Sequence, residues 1–452
     1  MDRAVSQLSH PVSDRGQLFT FAQRSPSNLS YRQVYLQYTG CNRLLVGEDD
    51  IPMRSRTLSR SRFLNVLPSF SSTALLICLL SGAPSVKAQE PGWSATGSLV
   101  EMRVGHTATL LLNGKVLVVG GTVFLDANPY WYGIGSAEIY DPVTAKWSAT
   151  GTLNFARSSH MAVRLSNGKV LVLGGNNGYR LPITTAEIYD PETETWSVAS
   201  EPRVVHANAA ATLLADGRVL VTGGGDGGCC VSGIRDSAEL YDPASDSWSQ
   251  AGTMNFRRAY HTATLLPSGK VLVVGGFPGV GAELYDPTTD RWTVTGSLTA
   301  EHLWDHETTL LPNGKVLVFG GGISGDDYCN GINSAELYDS ETGQWSPTGS
   351  LIATRNDYYN YNNATVLPNG KVLVGGGAGP GCNALNSSEL YDPASESWGI
   401  GSSMTIARFG HTMTLLSDGR VLAVGGSGDR SAEIFDSGTL PVTNLPADGS
   451  LK

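Results

Sequence analysis

The sequence predicts an all-β protein built from seven copies of one four-stranded antiparallel unit. Three observations predict it. Seven tryptophans, Trp93, Trp147, Trp196, Trp248, Trp292, Trp345 and Trp398, stand 44 to 54 residues apart. Every interval holds a glycine-containing turn dipeptide between two apolar runs, and a glycine pair closes the second run. A period of about fifty residues is the mark of stacked units, each of which buries its apolar face only against its neighbours.

Residues 1–52 show neither strand alternation nor helical periodicity, and translation is expected to start at Met53. From there the chain carries Arg54, Arg56, Arg60 and Arg62, an apolar stretch over 63–80, and then Ser85, Val86, Lys87 and Ala88. A basic start, an apolar middle and small residues at the recognition positions make a secretory signal peptide cleaved after Ala88. Pro68, Ser69, Ser71 and Ser72 break the apolar run, which argues against a stable membrane anchor. Cys78 lacks the small residue before it that lipid attachment needs. The expected organisation is 1–52 as an untranslated or disordered extension, 53–88 as signal peptide and 89–452 as the repeat array, secreted or periplasmic. Loss of residues 1–88 removes ten basic and five acidic residues and takes the formal charge from −10 to −15. So acidic a body argues against nucleic acid or an anionic membrane as partner.

In the first unit an apolar strand begins at His106, turns at Asn113-Gly114 and returns to Gly120-Gly121. Such dipeptides between apolar runs signal a hairpin, because a tight primed turn needs positive φ. Variants recur at Asn167-Gly168, Asp216-Gly217, Ser268-Gly269, Asn313-Gly314, Asn369-Gly370 and Asp418-Gly419, so seven hairpins follow. A variable loop leads to a third strand, Ala137 to Asp141 in the first unit, with counterparts from Ala186, Ala238, Ala282, Ala335, Ser388 and Ala432. The Asp that closes it opens a turn, and in six units a tryptophan six residues later starts the fourth strand.

Paired glycines, Tyr-Asp and a later tryptophan, seven times in register over 93–436, resemble the kelch repeat. The resemblance implies a seven-bladed β-propeller of four-stranded antiparallel blades around a central channel. In the seventh unit Val442 stands where the tryptophan belongs, while Trp93 is unpaired and lies thirteen residues before His106, as Trp147 lies before His160. The strand at Trp93 is therefore expected to complete the last blade; the alternative is that 442–445 supplies it.

A catalytic group is needed once, a scaffold group in every blade. His106, His160, His261, His306 and His411 open first strands, with Ala209 and Asn362 at the remaining two positions, and are read as hydrogen-bonded structural groups. Arg103, Arg157, Arg258 and Arg408 stand three residues earlier and are expected to pair with the repeated Glu138, Glu187, Glu239, Glu283, Glu336, Glu389 and Glu433 rather than form a positive collar.

In a meander, the tight Asn-Gly and Asp-Pro turns share one face, and the second-to-third-strand loops and inter-blade links share the other. Binding residues concentrate in variable loops on a rigid scaffold. Loop 122–136 offers Trp131 and Tyr132, the next loop Tyr179 and Arg180, and a later one Asp326 and Tyr328; two links add Trp304 with Asp305, and Arg355 with Tyr359. Aromatics beside carboxylates, amides and arginines suit sugars or peptide anchors; equally, they pack loops together. Cys329 and Cys382 occupy the same kind of loop in neighbouring units, and an oxidising compartment makes a disulfide between them reasonable. The adjacent Cys229 and Cys230 form a vicinal bridge or remain thiols, and no cysteine has metal-ligand spacing.

The kelch propeller is also the central domain of galactose-oxidase-like copper enzymes, and Tyr260-His261 resembles their Tyr-His copper-ligand segment. For the ring-linked cysteine that this resemblance also requires the sequence offers Cys229 or Cys230, but the second histidine and further tyrosine have no assigned counterparts. The expectation is a monomeric exported module without a metal or other cofactor, binding a carbohydrate or protein on its variable face. A copper radical oxidase or other sugar-processing enzyme is the alternative.

Overall fold

The computed structural model describes residues 17–25, 28–39, 43–49 and 91–438, the last stretch without 126–127, 179–180, 227–232, 280, 301, 303, 323–330, 357–363 and 427–428. The chain divides into two units, Met1–Ser85 and Val86–Lys452.

The first unit holds an antiparallel sheet of Gln17–Ser25, Asn28–Thr39 and Arg43–Asp49. Tyr31, Val34, Tyr35, Tyr38 and Thr39 favour extended backbone without alternating strictly, which is why a period-two search passes over them.

The second unit is a seven-bladed β-propeller. Each blade is a four-stranded antiparallel sheet in meander order. Blade 1 comprises Thr107–Leu110, Val116–Val119, Ala137–Asp141 and Lys146–Ala149. First strands of successive blades lie side by side, and Thr412–Leu415 of blade 7 returns against Thr107–Leu110, so the ring closes around its axis. The second strands are wholly buried, Val-Leu-rich runs such as Val116–Val119 and Val271–Val274. Continuous apolar sequence marks a strand covered on both faces.

The core is not central but divided among the blade interfaces. Val116, Val118 and Tyr140 of blade 1 pack on Leu422, Val424 and Ile434 of blade 7, and Leu117, Val119 and Ile139 of blade 1 on Val170 and Val172 of blade 2. Each buried valine or leucine contributes about 1.5–3 kcal/mol by leaving water, so a charge placed at Val118 would split blade 1 from blade 7.

The outer edges are tied blade to blade. Trp147 donates from Nε1 to the carbonyl of Gly97 at 2.7 Å, Trp196 to Gly151 at 2.8 Å and Trp345 to Gly296 at 2.8 Å. The ring of Tyr140 lies 5.0 Å from that of Trp147, and its hydroxyl shares a 2.6 Å hydrogen bond with Thr96. A Cβ on Gly97 would meet the Ala145 carbonyl at 2.4 Å, so this close approach requires glycine.

Closure follows the expectation for Trp93. The strand Gly92–Ala95 pairs antiparallel with Ala432–Asp436, setting Trp93 opposite Phe435 with ring centroids 5.3 Å apart. The N-terminal strand thus completes the last blade and holds the ring shut by main-chain hydrogen bonds.

Candidate functional site: the rim of the channel mouth

Every third strand carries a buried glutamate that organises the loop-side end of its blade. In blade 1, Glu138 accepts from the backbone N–H of Val100 at 2.8 Å and of Glu101 at 3.2 Å, which fixes the incoming link. Arg103, fully buried, donates to Glu138 at 2.8 Å and also to the carbonyls of Gly120 and Ser136. Link, glycine pair and third strand are therefore joined at one hub. Arg157–Glu187, Arg258–Glu283 and Arg408–Glu433 repeat it, as the sequence predicts.

Three further hubs escape the sequence pattern. Arg355 is buried against Glu389, so it belongs to the scaffold and not to the exposed binding face expected for it. In blades 3 and 5 a histidine replaces arginine. His206 meets the Gly223 carbonyl with Nδ1 at 2.8 Å and Glu239 with Nε2 at 2.9 Å; His302 meets Gly320 at 2.7 Å and lies 3.7 Å from Glu336. Burial, the largest influence, pushes the Glu336 carboxyl up; the His302 ring and the N–H groups and hydroxyl of Thr299 and Ala300 outweigh it and hold the group at about 2.

Four of the first-strand histidines are the hydrogen-bonded structural groups expected, each reaching the preceding blade. His160 Nε2 bonds the Thr107 hydroxyl of the preceding blade at 2.8 Å, His306 bonds Thr262 at 3.2 Å, and His106 closes the ring onto Thr412 at 3.0 Å. His261 bonds Thr222 at 2.8 Å. Burial drives His160, His306 and His411 down to about 3, and His106 and His261 well below their ordinary value.

The residue before each of these positions forms a girdle. Gly105, Ser159, Asn208, Tyr260, Asp305 and Gly410 all have positive φ, from 51° to 76°. Their backbones are linked across blades: Gly105 N–H donates to the Gly410 carbonyl at 3.2 Å, Ser159 N–H to Gly105 at 3.0 Å, and Tyr260 N–H to Asn208 at 2.8 Å. The glycines are buried, whereas Ser159, Asn208, Tyr260 and Asp305 are partly exposed. At the blade 5–blade 6 side a recess of about 10 Å³, the room of roughly one water, is lined by Asp305, Glu307, Phe319, Gly320, Gly321, Arg355 and Asn356.

Of the residues singled out in the sequence, Tyr260 and Asp305 thus share one rim, a relation that their separation in the chain conceals. Trp304 is half-buried, bridging Gly322 with its ring 5.9 Å from Phe277. Loop 122–136 contains an added hairpin, Thr122–Leu125 with Asn128–Gly133, which sets Trp131 opposite Phe124 and Tyr132 opposite Val123. Tyr179, Arg180, Asp326, Tyr328, Tyr359 and Cys329 lie outside the described residues. Cys382 is disulfide-bonded; its partner lies outside the described residues.

Copper at Tyr260–His261 does not fit the donors present. His261 is buried between blades and engages Thr222 in the same strut role that His160 and His306 fill. Among the described residues no three His, Cys, Asp or Glu side chains converge as a metal site.

The fold and rim define a repeat propeller with its side-chain variation gathered on one face. Comparison with known proteins agrees: residues 102–154, 157–203, 208–255 and 309–351 match the kelch motif. A galactose oxidase of Gibberella zeae is 28% identical over 116 residues, covering 23% of this chain and 16% of that protein. The kelch repeat-containing protein kel-10 of Caenorhabditis elegans is 28% identical over 197 residues, covering 41% of this chain and 32% of its own length. The chain thus spans less than two thirds of either relative. A copper-bound fungal alcohol oxidase of the AA5 family superposes with a TM-score of 0.61 at 20% identity, over 80% of this chain and 78% of that one, and so shares the fold. The chain is a seven-bladed β-propeller that carries the kelch motif in four of its blades.

Proposed function

We propose that this propeller is a non-catalytic binding module whose loop face holds a carbohydrate or protein ligand at the channel mouth. The observation that carries the reading is the rim: Ser159, Asn208, Tyr260 and Asp305 interrupt the repeat with four different polar groups on a backbone girdle that is otherwise regular. Varied, partly exposed polar residues on the loop side of a rigid scaffold are where binding residues concentrate. Export after cleavage at Ala88, a monomeric state, and 89–452 as the mature array belong to the same proposal, supported by the basic-apolar-small order of 53–88.

The test uses the full chain on arrays of oligosaccharides and extracellular proteins, with and without added copper. Specific binding that Tyr132→Ala or Trp131→Ala weakens at unchanged melting temperature supports the module. Stoichiometric copper, a radical-like absorption and an oxidase activity abolished by Tyr260→Phe would replace it with the copper-enzyme alternative.

A further inference from the structure

The blade hubs differ in the cation they use. In five blades the third-strand glutamate meets an arginine, whereas in blade 3 it meets His206. His206 stands three residues before Ala209, as Arg103 stands before His106, and its two ring nitrogens take over the arginine's acceptors. Nδ1 faces the Gly223 carbonyl, the counterpart of Gly120 for Arg103, and Nε2 faces Glu239. The replacement leaves one contact unmade. Arg103, Arg157, Arg355 and Arg408 each donate a further N–H to the hydroxyl just before the third strand, on Ser136, Thr185, Ser387 and Ser431. In blade 3 that hydroxyl belongs to Ser237, and it is buried without a hydrogen-bond partner among the described residues. The site keeps the polar group an arginine would use, yet holds a histidine.

That exchange changes the chemistry of the hub. A carbonyl and a carboxylate only accept hydrogen bonds, so a ring set against both, at 2.8 and 2.9 Å, satisfies them only with a proton on each nitrogen. Burial pushes the Glu239 carboxyl up; the His206 ring and the N–H groups of Arg203 and Val204 outweigh it and hold the group below its ordinary value, as the anion. A guanidinium stays charged throughout, whereas imidazole changes charge between about pH 5 and 8. Among the described residues no other cation replaces the ring. Blade 4 presents Arg258, engaged with Glu283, and His261, bonded to Thr222 and held by burial well below its ordinary value. The blade 3 loop carries Arg235 paired with Asp226, blade 2 packs the uncharged Gly174 and Met161 against the His206 backbone, and Glu201 and Arg203 of the link itself are exposed. Glu239 in turn holds that link, through the N–H of Arg203 at 3.1 Å and of Val204 at 3.4 Å. We propose that the His206–Glu239 pair is a proton-operated clasp, which fixes the link entering blade 3 on the loop face while the ring is charged and loosens it when the ring is discharged. His302 is not a second copy. Its ring lies 3.7 Å from Glu336, whose oxygens are already held by Thr299 and Ala300, so that link stays closed without the proton.

A permanent charge at the same position separates the clasp from a merely structural histidine. In the full chain, His206→Arg supplies a cation that does not titrate, and Glu239→Gln removes the anion that needs one. Urea unfolding is followed at pH 5 and pH 8, together with exchange of the Arg203 and Val204 amides corrected for the intrinsic rate. A charged ring held by a carboxylate stabilises the fold below the unfolded histidine value of about 6.5, and the contribution is lost as pH rises. Between the two pH values the parent's folding constant should therefore fall by about tenfold relative to either variant, within the limit of about tenfold per pH unit that one proton sets. The strut histidines are common to all the chains and cancel. The two amides should lose protection at pH 8 in the parent and keep it in His206→Arg, while His302→Arg follows the parent. Parallel stability profiles in the parent, His206→Arg and Glu239→Gln would overturn the clasp, as would a profile flattened by His302→Arg instead. If His206→Arg does not fold, the same comparison of Glu239→Gln with the parent decides it.

Discussion

Replacing Arg157 by alanine isolates the hub that links the incoming strand, the glycine pair and the third strand. Arg157 is fully buried. It donates to the Thr185 carbonyl at 2.8 Å, the Thr185 hydroxyl at 2.9 Å, the Gly174 carbonyl at 3.2 Å and Glu187 at 2.9 Å. After truncation Glu187 keeps the Asn154 amides, at 2.7 and 2.8 Å, and Phe155 N–H at 3.2 Å, but its charge is left without a cation in a dry interior. Removing one partner of such a pair costs about 3–5 kcal/mol, because an uncompensated buried charge remains. The folded-to-unfolded ratio should therefore fall roughly a hundred- to several-thousandfold. Urea unfolding followed by tryptophan fluorescence measures it. The double variant Arg157→Met with Glu187→Leu should recover most of the loss, since it removes both charges. Lys115→Ala breaks only an exposed pair, 3.9 Å from Asp141, and should cost under about 1 kcal/mol. If Arg157→Ala costs no more than Lys115→Ala, the hub does not organise the blade and the reasoning is refuted.

Acid should unfold the propeller early. His160, His306 and His411 are held at about 3 by burial. Their folded pKa lies below the unfolded value, so their contribution is complete above about 6.5 and is lost as pH falls, by roughly 2 kcal/mol per histidine at pH 5. Denaturation midpoints at pH 8 and pH 5 test this; equal values contradict it. Glu336, at about 2, adds a second loss below its unfolded value near 4.5, on the order of 3 kcal/mol when complete, and Glu336→Gln should flatten the curve in that window. Trp93→Ala removes the ring packed at a tilt against Phe435 and should cost about 3 kcal/mol, read as a lower melting temperature with blade 7 the first to exchange its amides; a wild-type melt would place the closure elsewhere.

The architecture was legible because each signal is local and recurs. The Gly-Gly, Tyr-Asp and Trp positions recur with a period set by one blade, and the unpaired Trp93 favours the closure found over the alternative at 442–445. The structural role of the first-strand histidines and the Arg–Glu hubs were also legible, since a group present in most blades belongs to the scaffold, whereas the threonine partners in the preceding blade were not. The misplacement of Arg355 has the same origin: its strand opens with Asn362 instead of histidine, so the Arg-to-His spacing that marks the other hubs is missing there. His206 and His302 were hidden for the reciprocal reason. Blade 3 has Ala209 at the strut position, and His302 lies four residues, not three, before His306. The girdle could not be read at all. Ser159 N–H donates to Gly105 and Tyr260 N–H to Asn208, each in the preceding blade, and such a long-range constraint leaves no local signature in the sequence. The one available signal was glycine at the equivalent positions 105 and 410.

Hydrogen–deuterium exchange of the full chain, with and without a saturating oligosaccharide, tests the channel-mouth site most directly. Protection confined to peptides spanning 158–160, 207–209, 259–261 and 304–307 is the result predicted. Protection on the opposite face, at the Asn113-Gly114 and Asn167-Gly168 turns, with the rim unchanged, would contradict it.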